Sequence, residues 1–333
     1  MKKQRFFILF SAALVLSFGV AMVSCGGGGG SSSSLFYTGE TSQAIISDTN
    51  AVEMLTDAYM GGDMGSFPVP LGAVRGGEGL GSKGSTVFNA AMIMKEAVSR
   101  IDRDSLVNNP AVGITQSQTI NGSCGGSASF SISFDENTGA FSGNFTFNSF
   151  DECTEVISGG ISISGVFEIV QGPQGPEPGE LLALTMSFSA LAVSGSETAT
   201  IAGEITITMS VSSETIIMDV ILHDGAADKT FWVNNYSITV AQGADFTDVT
   251  VSGTFYDPDE GFVTLSTPVA LHILDVDEWP SGGTLELAGL NGTKARLIVI
   301  DSTEFYVLVE LGDDALFDDW DSRDFGQLFW ADL

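Results

Sequence analysis

From Ile114 onward, apolar and polar residues alternate with a period of two. Phe130, Ile132 and Phe134 are separated by Ser131 and Ser133. Phe141, Phe145 and Phe147 alternate with Ser142, Asn144 and Thr146, and Ile205, Ile207, Met209 and Val211 with Thr206, Thr208 and Ser210. Neighbouring side chains of a strand point to opposite faces, so this spacing predicts strands with one apolar and one hydroxyl-rich face. That is the pattern of an antiparallel sheet covered on one side only. About a dozen such runs continue to Leu311, divided by turn signals such as Asn137-Thr138-Gly139, Ser194-Gly195-Ser196 and Ser281-Gly282-Gly283. Short turns between successive strands make a meander. A meander of this width must curl, close or fold over itself, because twist accumulates and a bare apolar face is unfavourable in water. The fold class expected is therefore mainly β: a large curved antiparallel meander, a wrapped sheet or barrel-like, over residues 111–333.

Two earlier segments show helical period instead. In Ser42 to Met60 the residues Ile45, Val52, Leu55 and Tyr59 fall near one stripe; in Ser85 to Leu106 the stripe is Val87, Ala91, Met94, Val98 and Ile101, with Ser85 or Thr86 as N-cap. Residues 35–110 are thus expected to supply two N-terminal helices packed on the sheet and forming one structural unit with it. The glycine-rich Gly61 to Gly84 reads as the loop between them. Gly172 to Gly179, "GPQGPEPG", interrupts the strands and reads as a surface loop, since eight residues cannot form a collagen triple helix.

Cysteines sharpen the pairing. Cys124 facing Cys153 across a hairpin centred on Thr138 and Gly139 sets Phe130 against Phe147, Ile132 against Phe145 and Phe134 against Gly143, all on the apolar face. Turn residues, cysteines and side-chain parity agree on that register, and a disulfide between the two is expected. The next hairpin, turning at Gly195-Ser196, sets Met186 against Ile205 and Leu184 against Ile207.

The chain start has another character. Lys2, Lys3 and Arg5 precede an uncharged apolar run from Phe6 to Val23, the layout of a cleaved export signal (residues 1–24). Met22-Val23-Ser24-Cys25 resembles the lipobox of bacterial lipoproteins, with Met22 where that family usually has Leu. The resemblance implies a diacylglyceryl group on the Cys25 thiol, cleavage just before it, and a membrane partner reached through the lipid. By the same resemblance, Gly26 in place of Asp after the cysteine implies the outer membrane, on its periplasmic face or at the cell surface. Each buried acyl methylene contributes roughly 0.8 kcal/mol, so such anchoring needs no spanning helix. Residues 25–34 then comprise the lipidated cysteine and a Gly/Ser tether, a flexible coil spanning about 15 to 18 Å. The Ser/Thr-rich body is similar in general pattern to bacterial envelope lipoproteins, a likeness that transfers no functional residue.

Charge narrows the partners. Of twelve basic residues three precede Cys25, whereas none of the 42 acidic residues does, so removing the leader makes the body more acidic than the −30 of the whole chain. Nucleic acid is bound through clustered Lys and Arg and is excluded as a partner. Catalytic signals are few. His223 and His272 are the only histidines; each lies in an apolar strand outside any metalloprotease motif, and a structural role is expected of both. Gly79-Leu80-Gly81-Ser82-Lys83-Gly84 fits the dinucleotide spacing but follows no buried strand, so it reads as a loop. Carboxylates cluster in predicted turns at Asp257 and Asp259, Asp275 and Asp277, and Asp313 and Asp314. Aspartate favours turns in its own right; alternating aspartates also suit calcium, which takes six to eight oxygens. Calcium is the one candidate cofactor, with no match to the EF-hand spacing.

The sequence thus points to a membrane-tethered, non-enzymatic β module for binding or structure, in which an open apolar concavity would suit a hydrophobic or lipid ligand. Two alternatives compete: a transmembrane β-barrel, which also alternates polar and apolar residues, and a hydrolase using paired carboxylates.

Overall fold

The structure, a computed structural model, describes residues 35–63 and, apart from short gaps, 114–330. Strands dominate. In chain order they are β1 (Ile114–Asn121), β2 (Gly125–Phe134), β3 (Ala140–Asp151), β4 (Val156–Gly172), β5 (Gly175–Ser194), β6 (Thr198–Met209), β7 (Ser213–Asp224) and β8 (Lys229–Gln242). There follow β9 (Phe246–Asp257), β10 (Gly261–Leu274), β11 (Gly282–Ala288), β12 (Lys294–Val299), β13 (Glu304–Glu310), β14 (Trp320–Asp321) and β15 (Leu328–Phe329). They form one 15-stranded antiparallel sheet whose spatial order is the chain order through β14, with β15 also beside β13. The meander is open among the described residues: β1 ends it on one side, and β14 and β15 on the other.

Alternation is realised as expected. Residues such as Phe130, Phe145, Ile161, Ile205, Ile238 and Val307 are at most 3% exposed and belong to one continuous apolar cluster reaching from β2 to β13. Burying each such side chain contributes roughly 1.5–3 kcal/mol. The intervening serines and threonines lie on the other face.

One helix is described, α1 (Ala51–Asp63). It is shorter than the stretch from Ser42 that periodicity suggested. Its buried stripe is Ala51, Met54, Leu55, Ala58 and Tyr59, each at most 2% exposed, whereas Ile45, expected on that stripe, is 54% exposed. Residues 42–46 are extended instead: Gln43 bridges Phe262 in parallel, and the Ala44 and Phe262 amides donate to Phe262 and Ser42 carbonyls, each at 2.9 Å. Tertiary pairing has overridden a helical pattern. The second expected helix, over 85–106, and the dinucleotide-like Gly79 to Gly84 lie outside the described residues, as do residues 1–34.

Register is right in one hairpin and corrected in another. Met186 pairs with Ile205 and Leu184 with Ile207, as expected. In the β2–β3 hairpin, however, Phe130 pairs with Phe145, Ile132 with Gly143 and Phe134 with Phe141, two residues away from the expected partners. Cys124 and Cys153 nevertheless come to disulfide distance, their Cα atoms 5.0 Å apart. The discrepancy is absorbed between the cysteines and Ser127, where the register shifts and Ser149 takes φ 48°.

That irregularity is one of a line of them. Bulged residues with positive φ recur at Ser149 on β3, Ala190 on β5 and Asn235 on β8. Glycines with positive φ stand beside the line at Gly126, Gly159, Gly203, Gly253 and Gly283. Pairing shifts in step at β2–β3, β4–β5, β8–β9 and β10–β11. Each bulge bends its strand and raises the local twist.

The "GPQGPEPG" stretch is the end of a hairpin and not a free loop: Gly172 pairs with Gly175, Gln171 with Pro176 and Ile169 with Pro178. β3 begins opposite Val166 and the Phe167 amide still donates to the Gly139 carbonyl at 2.9 Å, so it is from Glu168 outward that β4 and β5 pair only with each other among the described residues. Prolines are tolerated there because the outer side of each strand has no ladder to join.

Candidate functional site

Two surfaces carry chemistry: the hydroxyl face of the sheet, and the rim where the N-terminal segment attaches. On the hydroxyl face, register lines up Ser117, Ser131, Asn144, Ser162, Ser187 and Glu204 on six consecutive strands. Many of these groups bond one another. Ser162 donates to Asn144 Oδ1 at 2.9 Å, Ser187 to Glu204 Oε2 at 3.1 Å, and the Thr185 and Thr206 hydroxyls share a bond of 3.2 Å. A shallow depression of about 330 Å³ on this face is lined by Ser117, Thr119, Ser129, Ser131, Asn144 and Thr146, with Phe130 at its floor. It offers hydroxyl and amide groups and no charge.

At the rim, sequence reasoning missed an aromatic group. Trp232 and Tyr256 are cross-strand neighbours with ring centroids 4.3 Å apart, Phe262 lies 5.3 Å from Tyr256, and Tyr37 caps them at 5.5 and 5.8 Å. Trp232 Nε1 donates to Asp219 Oδ1 at 2.7 Å. The Tyr37 hydroxyl donates to the Asp257 and Glu40 carbonyls at 2.8 and 2.9 Å. Burial, with Asp257 and Glu40 nearby, raises the Tyr37 pKa, so the phenol stays protonated and acts as a donor. The parity signal was present, because Trp232 and Tyr256 alternate with inward-facing Phe231 and Phe255.

From Tyr37 the chain crosses the rim. The Glu40 amide donates to the Pro258 carbonyl at 2.9 Å, and the Leu290 amide to the Ala44 carbonyl at 2.7 Å. Ala44 and Ile46 are buried at 1% and 0% exposure, and Ile46 donates to Thr293 Oγ1 at 3.1 Å. Asn50 then fixes the approach to α1: its Oδ1 accepts from the Ser47 amide at 2.8 Å and its Nδ2 donates to Glu260 at 2.9 Å. Inside, the Tyr236 hydroxyl donates to the Ala58 carbonyl at 2.9 Å.

The predicted acidic positions act as turn builders. Asp257 Oδ1 accepts from the Asp259 and Glu260 amides at 2.8 and 2.9 Å, and Asp259 pairs with Lys229 at 2.7 Å. Asp275 and Asp277 sit in the β10–β11 turn, where their amides donate to the Asp245 and Leu274 carbonyls. Asp313 and Asp314 lie outside the described residues. Among the described residues, no three His, Cys, Asp or Glu side chains converge as metal ligands.

Neither histidine is in the apolar core. His223 Nδ1 lies 3.1 Å from Thr230 Oγ1, and His272 Nδ1 lies 2.7 Å from Asp248, both half-buried on the polar face. Ser281 donates to the His272 carbonyl and not to its ring, so the three residues are not wired as a nucleophile, base and orienting acid. Cys25 lies outside the described residues. Compared with known protein families, curated proteins and solved structures, the chain matches none.

Proposed function

We propose that the chain is an outer-membrane lipoprotein: a non-enzymatic β module for binding or structure, tethered through Cys25. The observation that carries this reading is the direction of the two faces. Apolar side chains of the sheet point into one buried cluster, and Ser, Thr and Asn point outward. A membrane-spanning barrel turns its apolar band outward to lipid. With the polar face outside, membrane attachment falls to the acylated terminus that the Met22 to Cys25 motif suggests. Fixing of residues 37–46 at one rim supports the same reading, since the Gly/Ser tether would leave from that rim and set the body's orientation.

Curvature belongs to this proposal. The line of bulges and glycines is a device for bending strands, and α1 touches β8 and β9 as well as β12 and β13. We infer that the sheet wraps around its own core. A hydrophobic or lipid ligand inside is the less favoured form, because the described apolar face is already covered by the chain and a guest would displace protein. The outward hydroxyl face is then the surface available to an envelope partner. Engagement of Asp257 and Asp259 in turn bonds and an ion pair weighs against both calcium and a carboxylate hydrolase.

Intact-mass analysis of the chain from its native membrane tests the proposal. Expected is a mature N-terminus at Cys25 carrying acyl mass, with Cys25→Ala released from the membrane as soluble protein. An unmodified Cys25 would overturn it.

A further inference from the structure

We propose that β1 is a self-association edge, along which two copies of this chain pair antiparallel about a two-fold axis through Ser117. The two edges of the sheet are treated differently. Among the described residues, beyond β13 stand only the two-residue strands β14 and β15, with Asp319, Asp321, Arg323 and Asp324 close by, so that edge is short and charged. β1 runs eight residues, Ile114–Asn121, and pairs with β2 without a register break from Ile114 opposite Phe134 to Asn121 opposite Ser127. It contains no charge and no proline. Proteins blunt edge strands with charges, prolines, bulges or shortness. None of these is present on β1, and β2 is its sole strand partner among the described residues.

The occupant is identified by the strand's own sequence. Ile114-Thr115-Gln116-Ser117-Gln118-Thr119-Ile120 reads the same in both directions. Antiparallel pairing of two copies centred on Ser117 sets every residue opposite its own kind: Ser117 against Ser117, Gln116 against Gln118, Thr115 against Thr119 and Ile114 against Ile120 of the second copy. A shift of one residue would exchange the two faces of the sheet, and a shift of two would oppose Gln116 to Ile120. The centred register also continues both faces, because Thr115, Ser117 and Thr119 share the parity of Ser133, Ser131 and Ser129.

Charge points to the same place. In a chain of net charge −30, like copies repel. Between Ser105 and Phe150, however, the only charged residues are Asp135 and Glu136, in the β2–β3 turn. β1 and β2 thus form the part of this acidic molecule that a second copy can approach at least electrostatic cost.

Eight-residue edges make a small interface, so the test uses tens of micromolar protein. The full chain, extracted from membranes in mild detergent, is expected to show two chains per particle by light scattering. Ser117→Lys sets two ammonium groups opposite each other and is expected to weaken the dimer at least tenfold, with the melting temperature unchanged. Ser117→Cys is expected to cross-link to itself under mild oxidation. Gln116→Cys and Gln118→Cys should link to each other when mixed, and neither should link alone. One chain per particle for the wild type overturns the proposal. So does a dimer that survives Ser117→Lys, or one in which Ser117→Cys stays unlinked, since the copies would then meet elsewhere.

Discussion

At Gly203 the backbone takes φ +124°, and a Cβ would stand 2.0 Å from the Asp219 carbonyl oxygen and 2.8 Å from the Val220 Cα. Neither is the end of a flexible side chain that could swing away. Gly203→Ala is therefore expected to cost about 3 kcal/mol through strain and backbone displacement, read as a lowered midpoint of chemical unfolding. An alanine variant as stable as wild type would mean the strand has another way through this point. Glycines of this kind were the unread signal in the sequence. A glycine inside an alternating strand marks a bulge or a close backbone approach, and Gly126, Gly159, Gly203, Gly253 and Gly283 all interrupt strand patterns. Counting partners outward from Cys124 and Cys153 assumed a ladder without bulges, which is why the Phe130 pairing came out two residues away. Met186 and Ile205 were paired correctly because two departures cancel: the turn centres on Ser196, with Ser194 opposite Thr198, and the one-residue shift between Ser189 and Leu191 restores the expected partners.

Among the elements, the β1–β2 hairpin is the one that depends most on a covalent tie. Cys124 ends its turn and Cys153 follows β3, so the bond fastens the outermost hairpin to the third strand across a sequence separation of 29. Loop closure of that length in the unfolded chain corresponds to about 3 to 4 kcal/mol. A Cys124→Ser, Cys153→Ser double variant is expected to lose stability of that order, with hydrogen exchange accelerating first in β1 and β2. Uniform acceleration across the sheet would contradict this local role. Strand existence and facing could be read from alternation alone, since most inward positions are apolar, Thr230, Asp257 and Glu310 being buried exceptions. Helix extent could not: Ser42 to Asn50 has a helical pattern, but the backbone groups of Ser42 and Ala44 are claimed by β10 and by the Leu290 amide. The "GPQGPEPG" hairpin escaped for a related reason, as prolines forbid a central strand yet permit one with a free side.

Over the whole molecule, the acidic surplus and the turn carboxylates pull stability in opposite directions as pH falls. Asp135, Asp301, Asp321 and Glu40 hold pKa values below the usual carboxylate range: backbone amides of the next residues favour the charged form at Asp135 and Glu40, Thr303 at Asp301, and Arg323 at Asp321. Their folded pKa lies below the unfolded one, so their stabilisation is complete above about pH 4 and is lost as pH drops through the folded values. Relief of mutual repulsion in a chain of net charge −30 acts earlier, as other carboxylates begin to protonate. The melting temperature is expected to hold or rise slightly from pH 7 to about 5 and to fall steeply below about 4. A steady decline from pH 7 to 5 would show that repulsion counts for little.

The crossing of the rim by residues 37–46 has a mechanical consequence. Tension on the chain ahead of Leu35 enters through Tyr37 and the parallel bridge from Gln43 to Phe262, inside the sheet at β10 and far from its free margin at β1. Main-chain bonds of Glu40, Ser42 and Ala44 share that pull at once instead of parting one after another, as they would if a border strand were peeled. Were the chain anchored as proposed, a jerk on its leash would thus be resisted in shear where residues 40–44 meet β10, and the hairpins nearest β1 would feel it last.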